Sequence, residues 1–532
     1  MAVNRHYLKQ NTLVEPLCNQ WIAWPYLVSP HTAAMFTANL HVETMESFIS
    51  APEIHASALE NPMMMGSRFI HHGPDRVGDI KALLEKTQVE YADLLALAAA
   101  IKELDEVLSG EASGYALEPL YPRIPEILKG YVELVYDRNN HPGIRFIEGL
   151  LYKSRYYRRS SQSVALSTID RDARPFLFST PVLEDGERLH VRVPFDHPGL
   201  DELFRMRHTP GSIDHVRDLL GIGAADAATF ASLFTEEAPL PRPPYTGDAP
   251  RIRYFGHACV LFEARGVSIL TDPLISYRYP CELARDTYAD LPETIDYVLI
   301  THNHQDHCVI ETLLQIRHKV RTVIVPRSHG GSLEDPSLKL VLQNIGFRDV
   351  REIDDMESVH FDGGSITALP FFGEHGDLDI RCKATYLVSM GGRTALLTAD
   401  SNSCEPMLYE RMGDLVERVD IAFLGMESEG APLTWAYGPL LTRPMPRKMD
   451  QSRRCVGPNY ERDMAIVQRF RPGQVYLYAM GLEPWLSFLT TIQYTESSPA
   501  MVDARRLVDE CRRLGITAER LYGKKELSFD LA

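Results

Sequence analysis

At 532 residues the chain is longer than one hydrophobic core usually supports, so two domains are expected. The composition, 45% hydrophobic and 24% charged, is typical of a globular protein, and no apolar run approaches the roughly 18 residues of a membrane span. The formal net charge of -17 argues against binding to nucleic acid or anionic membranes, which need a basic surface.

The first residues, 1–18, carry charges and contain no apolar segment of the kind found in signal peptides, so the cytoplasm is the expected compartment. The eight cysteines are scattered and include no C-x-x-C pair. We therefore expect reduced thiols instead of a disulfide framework or a zinc ribbon.

The amino-terminal half predicts a mixed α/β domain. Residues 91–110 carry apolar side chains at helical spacing and predict a helix, whereas 133–136 and 190–193 are typical of strands. Aromatic and basic residues at 156–159 favour a solvated surface with buried ring faces over a nucleic-acid patch. A binding role, a lid and a dimerisation role all remain open for this domain.

The clearest break in the chain is 235–250, where five prolines and a glycine interrupt any regular periodicity. It divides the chain into an amino-terminal domain, 1–246, and a carboxyl-terminal domain, 247–532. In the second domain, short apolar runs that are typical of strands buried on both faces alternate with helical segments such as 309–319. These runs are 267–271, 297–301, 322–325 and 395–399. The alternation predicts a layered α/β architecture with polar residues collected at strand ends.

Three histidines and one carboxylate fall within six positions, directly after the predicted strand 297–301. They are His302, His304, Asp306 and His307. Imidazole and carboxylate together suit zinc, iron or manganese. One compact loop of this kind can serve two metals about 3.5–4 Å apart. A helix cap with surface histidines is the simpler alternative, but it does not account for four ligand-type residues at this spacing.

Two other strand ends offer ligands. Asp400 follows the run 395–399, and its two oxygens could span two metals, although a helix cap is the alternative. The segment 371–377 offers both Glu374 and His375. Adjacent residues on an extended chain point to opposite sides, so we expect only one of the two to reach a metal, and the residues alone do not choose.

Further candidates follow other predicted elements. Glu427 and Glu429 come after the apolar run 421–426, either near the metals or in a solvated loop, and we take Glu427 with Glu374 as candidate catalytic carboxylates. His329 precedes two glycines, either in a turn or facing substrate. Cys308 adjoins His307 and is expected to point away from the metals. The pair His71 and His72 has no partners at ligand spacing and is interpreted as structural.

The pattern H-x-H-x-D-H after a strand resembles the signature of the metallo-β-lactamase superfamily, and the likeness runs from about residue 252 to the late 400s. The resemblance implies an αβ/βα sandwich with metals at one sheet edge. His302 and His304 would serve the first metal, and Asp306 and His307 the second. Asp272 matches an acid that orients the histidine loop in this superfamily, a turn-forming aspartate before proline being the alternative.

Two departures from the superfamily pattern indicate the chemistry. The third motif offers Glu374 beside His375, and the segment 476–481 has no histidine where hydrolases normally carry one. The expected site is therefore short of imidazole and rich in carboxylate. Hard oxygen ligands favour a redox-active iron pair over a zinc pair. Open coordination positions would leave room for dioxygen.

The whole chain resembles the diiron β-hydroxylases, the family that includes the enzyme of chloramphenicol biosynthesis. The resemblance rests on the length, the large domain before a proline-rich join, the histidine loop and the segment FFGEHGD. Members hydroxylate the β-carbon of an amino acid held as a thioester on the thiolation domain of a non-ribosomal peptide synthetase. In the chloramphenicol case the amino acid is L-p-aminophenylalanine.

This resemblance implies an oxo-bridged pair of iron ions and a homodimer arranged through the amino-terminal domain. It also implies that Glu374, and not His375, is the third-motif ligand. The implied ligand sets are His302, His304 and Glu374 for one iron, and Asp306, His307 and Asp400 for the other.

The leading hypothesis is thus a dioxygen-dependent monooxygenase in antibiotic biosynthesis. It would need an external electron donor, because no G-x-G-x-x-G nucleotide fingerprint stands out. The alternative is a dizinc hydrolase of an ester, lactone or phosphodiester. That class is common among proteins with this histidine motif, but Glu374 and the absent last histidine oppose it. A binding protein with a vestigial site is the third hypothesis, and the intact motif argues against it.

Overall fold

The computed structural model describes residues 5–61, 64, 66–240 and 243–527. Residues 1–4 of the segment examined for a signal peptide, and residues 241–242 of the proline-rich join, lie outside the described residues. Within the described ranges, no helix is both long enough and apolar enough to span a membrane.

The amino-terminal region mixes short strands with helices, as its sequence predicts. The strands are β1 (Tyr7–Leu8), β2 (Thr12–Cys18), β3 (Trp21–Ile22), β4 (Val132–Tyr136), β5 (Pro142–Phe146), β6 (Gln162–Thr168), β7 (Leu189–Val191) and β8 (Phe234–Thr235). The helices are α1 (Pro25–Val28), α2 (Pro30–Phe36), α3 (Glu43–Ser50), α4 (Pro52–Leu59), α5 (Val77–Glu90), α6 (Ala92–Glu111), α7 (Glu148–Leu151), α8 (Pro198–Arg205), α9 (Ile213–Leu219) and α10 (Ala227–Ser232). Helix α6 confirms the helix predicted at 91–110, and β4 confirms the strand predicted at 133–136.

The carboxyl-terminal region alternates strands and helices. The strands are β9 (Arg251–Gly256), β10 (Cys259–Ala264), β11 (Val267–Thr271), β12 (Ile295–Leu299), β13 (Val320–Pro326), β14 (Val350–Ile353), β15 (Ser358–Phe361), β16 (Gly364–Leu369), β17 (Thr385–Met390), β18 (Arg393–Leu397), β19 (Ile421–Leu424), β20 (Ala431–Pro432), β21 (Arg454–Cys455), β22 (Gln474–Leu477), β23 (Thr517–Arg520) and β24 (Lys525–Leu527). The helices are α11 (Ile310–Ile316), α12 (Leu338–Asn344), α13 (Met407–Gly413), α14 (Leu433–Tyr437), α15 (Arg447–Ser452), α16 (Tyr460–Phe470), α17 (Ser487–Thr490) and α18 (Pro499–Arg513).

Two seven-stranded sheets pack face to face in this region. Their strand orders are β14-β13-β12-β11-β10-β9-β24 and β15-β16-β17-β18-β19-β22-β23. Phe262 and Leu299 of the first sheet share an apolar layer with Tyr386 and Phe423 of the second. On the outer face of the first sheet lies α11, and the outer face of the second packs on α13, α16 and α18. This is the αβ/βα sandwich that the sequence predicts.

Parallel pairing brings several strand ends to one edge. Strands β11 and β12 pair in parallel in the first sheet, as do β18 and β19 in the second, so the residues that follow them meet there. Strand β12 ends at Leu299, two residues earlier than predicted. The reason is that the Thr301 N–H donates to the Asp272 carboxylate (2.7 Å) and not to a neighbouring strand.

The two regions of the chain share apolar cores. Val14 and Phe204 of the amino-terminal region lie in the same buried cluster as Leu313 of α11. A buried ion cluster crosses the same boundary, because Arg174 contacts Glu15 (3.2 Å) and Glu311 (2.7 Å). The proline-rich join therefore connects two regions that pack against each other, and not two independent domains on a flexible linker.

Replacing Arg174 with methionine should lower the free energy of unfolding by about 3–5 kcal/mol, because Glu311 would stay buried without its cation and Glu15 would keep only Arg188. Arg171→Met is the matched control, since that arginine is 79% exposed and pairs only with exposed Asp170. Denaturant titration should show a change of less than about 0.5 kcal/mol for the control. Equal effects of the two substitutions would contradict a structural role for the Arg174 cluster.

Candidate metal centre

Ligand-type side chains converge at the edge where the strands of both sheets end. They form three overlapping groups, within each of which one ligand atom per residue lies within 4.8 Å of the others. The groups are His302, His304, Glu374 and His375; His257, Asp306 and His307; and His302, His307 and Asp400. All six residues predicted as metal ligands are thus brought together.

In the first group, Glu374 lies between two histidines. Its Oε1 is 2.8 Å from His304 Nδ1, and its Oε2 is 4.0 Å from His302 Nε2. The other nitrogen of His302, Nδ1, lies 3.0 Å from the Thr301 hydroxyl. The nitrogen that faces the cluster is therefore His302 Nε2, which has no hydrogen-bond partner despite being buried.

Asp400 lies between the first and second groups. Its Oδ2 is 3.0 Å from His307 Nε2 and 3.8 Å from His302 Nε2, and its Oδ1 is buried without a hydrogen-bond partner. The preceding residue, Ala399, has a left-handed φ of +46°, and its N–H donates to the Tyr478 hydroxyl (2.9 Å). This turn aims the Asp400 carboxylate at both His302 and His307.

The donor set fits metal ions. Buried polar atoms normally have partners, yet His302 Nε2 and Asp400 Oδ1 have none and point into one small volume. Burial, together with the neighbouring His307 and His304, holds the pKa of His302 well below its ordinary value, so its imidazole is neutral, which is the form that binds metal. Imidazoles mixed with carboxylates suit iron as well as zinc and manganese.

Both Glu374 and His375 reach the cluster, so the expectation that their side chains point to opposite sides was wrong, while which of the two binds a metal stays a prediction. That expectation assumed extended backbone, whereas Glu374 has a φ of +70° and Gly373 a φ of +73°. The resulting turn places both side chains on one side. His375 Nδ1 lies 2.8 Å from Glu374 Oε2, which makes His375 a hydrogen-bond donor to the carboxylate.

Asp272 holds the histidine loop in place through hydrogen bonds to its carboxylate. Its carboxylate accepts hydrogen bonds from the Thr301 N–H (2.7 Å), the Thr301 hydroxyl (2.6 Å) and His307 Nδ1 (2.8 Å). The bond to Nδ1 fixes the tautomer of His307 and leaves Nε2 free to face Asp400. This geometry matches the orienting role expected for Asp272.

Changing Asp272 to asparagine should weaken metal binding by about 10–100-fold, because an amide cannot hold His307 in the same tautomer while also accepting from Thr301. Chelator competition on the metal-loaded protein measures the effect. Asp296→Asn is the control, since Asp296 also accepts a backbone N–H, from Ser268 (2.9 Å), but lies in β12 away from the ligands. Unchanged affinity in Asp272→Asn would refute the orienting role.

A hydrogen-bond chain leads from His304 into the amino-terminal region. His304 Nε2 lies 2.6 Å from the Tyr437 hydroxyl, and Tyr437 and Tyr26 share a hydrogen bond. Tyr26 donates in turn to the Glu334 carbonyl (2.7 Å) and accepts from Asn303 Nδ2 (3.1 Å). With Nε2 protonated, His304 presents Nδ1 to Glu374 and to a metal.

Removing the Tyr437 hydroxyl, in Tyr437→Phe, should leave His304 Nε2 buried without an acceptor and weaken metal binding by about tenfold. The visible spectrum of the metal-loaded protein should shift as well, a change that mere loss of stability would not produce. Tyr409→Phe is the control: that hydroxyl is also buried, but it bonds to Ser403. Identical spectra and affinities for both variants would argue against the chain.

One residue of the centre, His257, is missing from the sequence-based prediction. Its Nε2 lies 3.4 Å from Asp306 Oδ2 and 3.2 Å from His307 Nε2. It occupies the tight turn between β9 and β10, with a φ of +49° after Gly256 at +110°. Its carbonyl accepts the Ala479 N–H (3.0 Å), so it packs against the segment that lacks the last superfamily histidine. A Gly-His pair between two strands that end at this edge was the available signal.

The centre opens into a cavity of about 270 Å³. Glu427 and Glu429 line this cavity together with Asp306, Glu374 and Asp400. Burial, together with the negative charges of Asp400 and Glu374, raises the pKa of Glu427 well above its ordinary value. The cavity is large enough for a small organic group and is strongly acidic on the side of the metals.

Other candidates lie elsewhere. His329 pairs with Asp379 (3.0 Å) outside the three ligand groups. Cys308 is fully buried in the apolar cluster under the first sheet, as expected for a side chain that points away. His72 contacts the Pro181 carbonyl (2.9 Å) in the amino-terminal region, in keeping with its structural interpretation. None of the eight cysteines is in a disulfide.

Comparison with known proteins agrees with this geometry. Residues 268–429 match the family described as the beta-lactamase superfamily domain, and residues 7–239 match the family described as the diiron non-heme beta-hydroxylase N-terminal domain. An uncharacterised-family protein (UPF0173) of Pyrococcus abyssi is 34% identical over 125 residues, which are 24% of this chain and 49% of that protein.

Two further matches extend over the whole chain. The 4-amino-L-phenylalanyl-[CmlP-peptidyl-carrier-protein] 3-hydroxylase of Streptomyces venezuelae is 42% identical, covering 98% of this chain and 99% of that protein. The crystal structure of CmlA, a diiron beta-hydroxylase from Streptomyces venezuelae, superposes with a TM-score of 0.92 at 41% identity, covering 99% of each chain.

Fold and centre together define a protein with a beta-lactamase superfamily domain, at whose sheet edge five histidines and three carboxylates converge. The similarity in sequence and structure to the Streptomyces enzyme extends over the whole chain, and it identifies one family within this superfamily. The chain belongs to the diiron non-heme β-hydroxylase family.

Proposed function

We propose that the protein is a dioxygen-dependent β-hydroxylase of an aromatic amino acid, L-p-aminophenylalanine, held as a thioester on the thiolation domain of a non-ribosomal peptide synthetase. The observation that carries the proposal is Glu374, a carboxylate 2.8 Å from His304 in a cluster that lacks the last histidine of hydrolases. The printed name of the Streptomyces relative supports both the reaction and the carrier-bound substrate.

Iron is the metal of this proposal because the carboxylate-rich donor set stabilises higher oxidation states. His302, His304 and Glu374 hold one iron, with His375 as hydrogen-bond donor to Glu374. The other iron takes the remaining predicted ligands, Asp306, His307 and Asp400. The iron pair, when bound, supplies the redox chemistry by which one atom of dioxygen enters the β C–H bond and the other leaves as water, with electrons from an external donor.

The residues of the chain position the reacting group. The acidic cavity beside the ligands takes the amino acid, and Glu427 and Glu429 accept hydrogen bonds from its α-ammonium group. The ligands lie at one end of this cavity, so the β-carbon must point toward them. A benzylic C–H bond is comparatively weak, which suits an aromatic side chain.

The proposal also covers organisation. We divide the chain into an amino-terminal domain, 1–246, that docks the carrier domain or a second copy, and a metal domain, 247–532. The contact of Tyr26 with the Tyr437 chain supports a role of the first domain at the site. A homodimer and a cytoplasmic location rest on the family resemblance and on the sequence pattern.

The test compares wild-type protein with Glu374→His, which restores the histidine of the superfamily pattern. Wild-type protein should contain about two irons per chain and add one oxygen atom from labelled dioxygen to a loaded carrier domain, followed by mass spectrometry. In Glu374→His the ratio of bound iron to zinc should fall, and hydroxylation should drop by more than the roughly 10–100-fold typical of outer-shell changes.

The control for this test is Glu496→Gln, an exposed glutamate that should change neither metal content nor turnover. Two zincs in the wild-type protein, hydrolysis of the thioester and no oxygen incorporation after loading with iron would favour the dizinc hydrolase.

A further inference from the structure

A second cavity, the outer groove, lies on the other side of Trp435 from the metal cavity. Its volume is about 410 Å³. Leu40, Arg68, Phe176 and Phe178 line it from the amino-terminal region, and Trp435 lines it from the carboxyl-terminal region. Because Trp435 also lines the metal cavity, the two cavities share one wall.

This shared wall is thin. The Trp435 indole N–H donates to the Gly66 carbonyl (2.9 Å), and the ring packs on Phe178 (5.2 Å between centroids). Thr491, which lines the metal cavity, lies against Gly66, where an added Cβ would be 2.3 Å from its hydroxyl oxygen. A single layer of side chains therefore separates the groove from the metal cavity.

The charges of the two cavities are opposite. Among the described residues, the metal cavity is lined by five carboxylates and by neither lysine nor arginine. In the outer groove, Arg68 is the one charged side chain among the described lining residues. Its guanidinium is only weakly engaged, at 3.4 Å from the Asn39 carbonyl and 3.6 Å from Glu43, and the side chain is 47% exposed.

An aminoacyl group on a carrier domain has the same distribution of charge. Its α-ammonium lies near the thioester, a long neutral arm of amides and methylene groups follows, and a phosphodiester lies at the far end. The acidic metal cavity attracts the ammonium and repels the phosphodiester. Arginine is well suited to the phosphodiester because its planar donors bind phosphate oxygens in pairs.

We propose that the outer groove holds the phosphopantetheine arm of the carrier domain. Arg68 binds the phosphodiester, Phe176 and Phe178 pack against the pantetheine chain, and the thioester end passes Trp435 into the metal cavity. This inference rests on the proposed function and adds to it a binding site for the phosphopantetheine arm. The groove lies between the two regions of the chain, which places the carrier domain at their junction.

The experiment measures the contribution of the phosphate to binding separately from that of the rest of the substrate. Two thioesters of 4-amino-L-phenylalanine are compared, one with 4′-phosphopantetheine and one with pantetheine, on the iron-loaded wild-type protein and on Arg68→Ala and Arg68→Lys. Calorimetry without oxygen gives the affinities, and turnover gives kcat and KM. Removing the phosphate should weaken binding to wild type by about tenfold, but to Arg68→Ala by less than about twofold. Arg68→Lys should keep part of the preference, and kcat should stay unchanged.

Arg123→Ala is the control, since this arginine is 53% exposed and pairs with Glu111 away from the groove. It should discriminate between the thioesters as wild type does. Equal discrimination by wild type and Arg68→Ala overturns the proposal, and so does the absence of any preference in wild type. If wild type binds the phosphorylated thioester more tightly but hydroxylates neither, the proposed function fails while the seat of the phosphate stands.

Discussion

The burial of several carboxylates and imidazoles in one small volume is the constraint on which the rest of the molecule depends. Charged groups removed from water cost several kcal/mol each unless they are paired or bind a cation. Here Asp400 keeps one oxygen without a partner, and His302 keeps an equally unpartnered nitrogen beside it. Left-handed backbone at Ala399 and Glu374 holds the carboxylates in this arrangement, which a bound cation would relieve.

Much of the fold and most of the centre could be predicted because their signals are local. Buried strands appear as short apolar runs, and β11 begins and ends where its run does. The four residues of the histidine loop lie within six positions, so their convergence needs only one turn. Asp272 and Asp400 follow such runs, and the parallel pairing of the sheets brings them to the same edge.

The remaining parts depend on contacts between residues that are distant in the chain, or on backbone angles that a sequence does not display. Glu374 and His375 share one side because of a left-handed turn that alternation along an extended strand cannot anticipate. His257 joins the centre through β9 and β10, well before the histidine loop. Tyr26 contacts the centre through Tyr437 and through Asn303 of the histidine loop, and its own neighbourhood in the sequence contains no ligand pattern. The amino-terminal half therefore offers no recognisable catalytic pattern when its residues are considered alone.

The apolar cluster shared by the two regions limits how such a protein can be rearranged. Val14, Phe204 and Leu313 are buried in one cluster, so this part of the core belongs to neither half alone. A shortened metal domain would expose the apolar face of α11 and the underside of the first sheet, surfaces of the kind that aggregate. Recombination among relatives, in nature or in the laboratory, should therefore preserve matched halves. In this chain the pair of regions, and not the metal-binding sandwich alone, is the unit that would have to be moved between proteins.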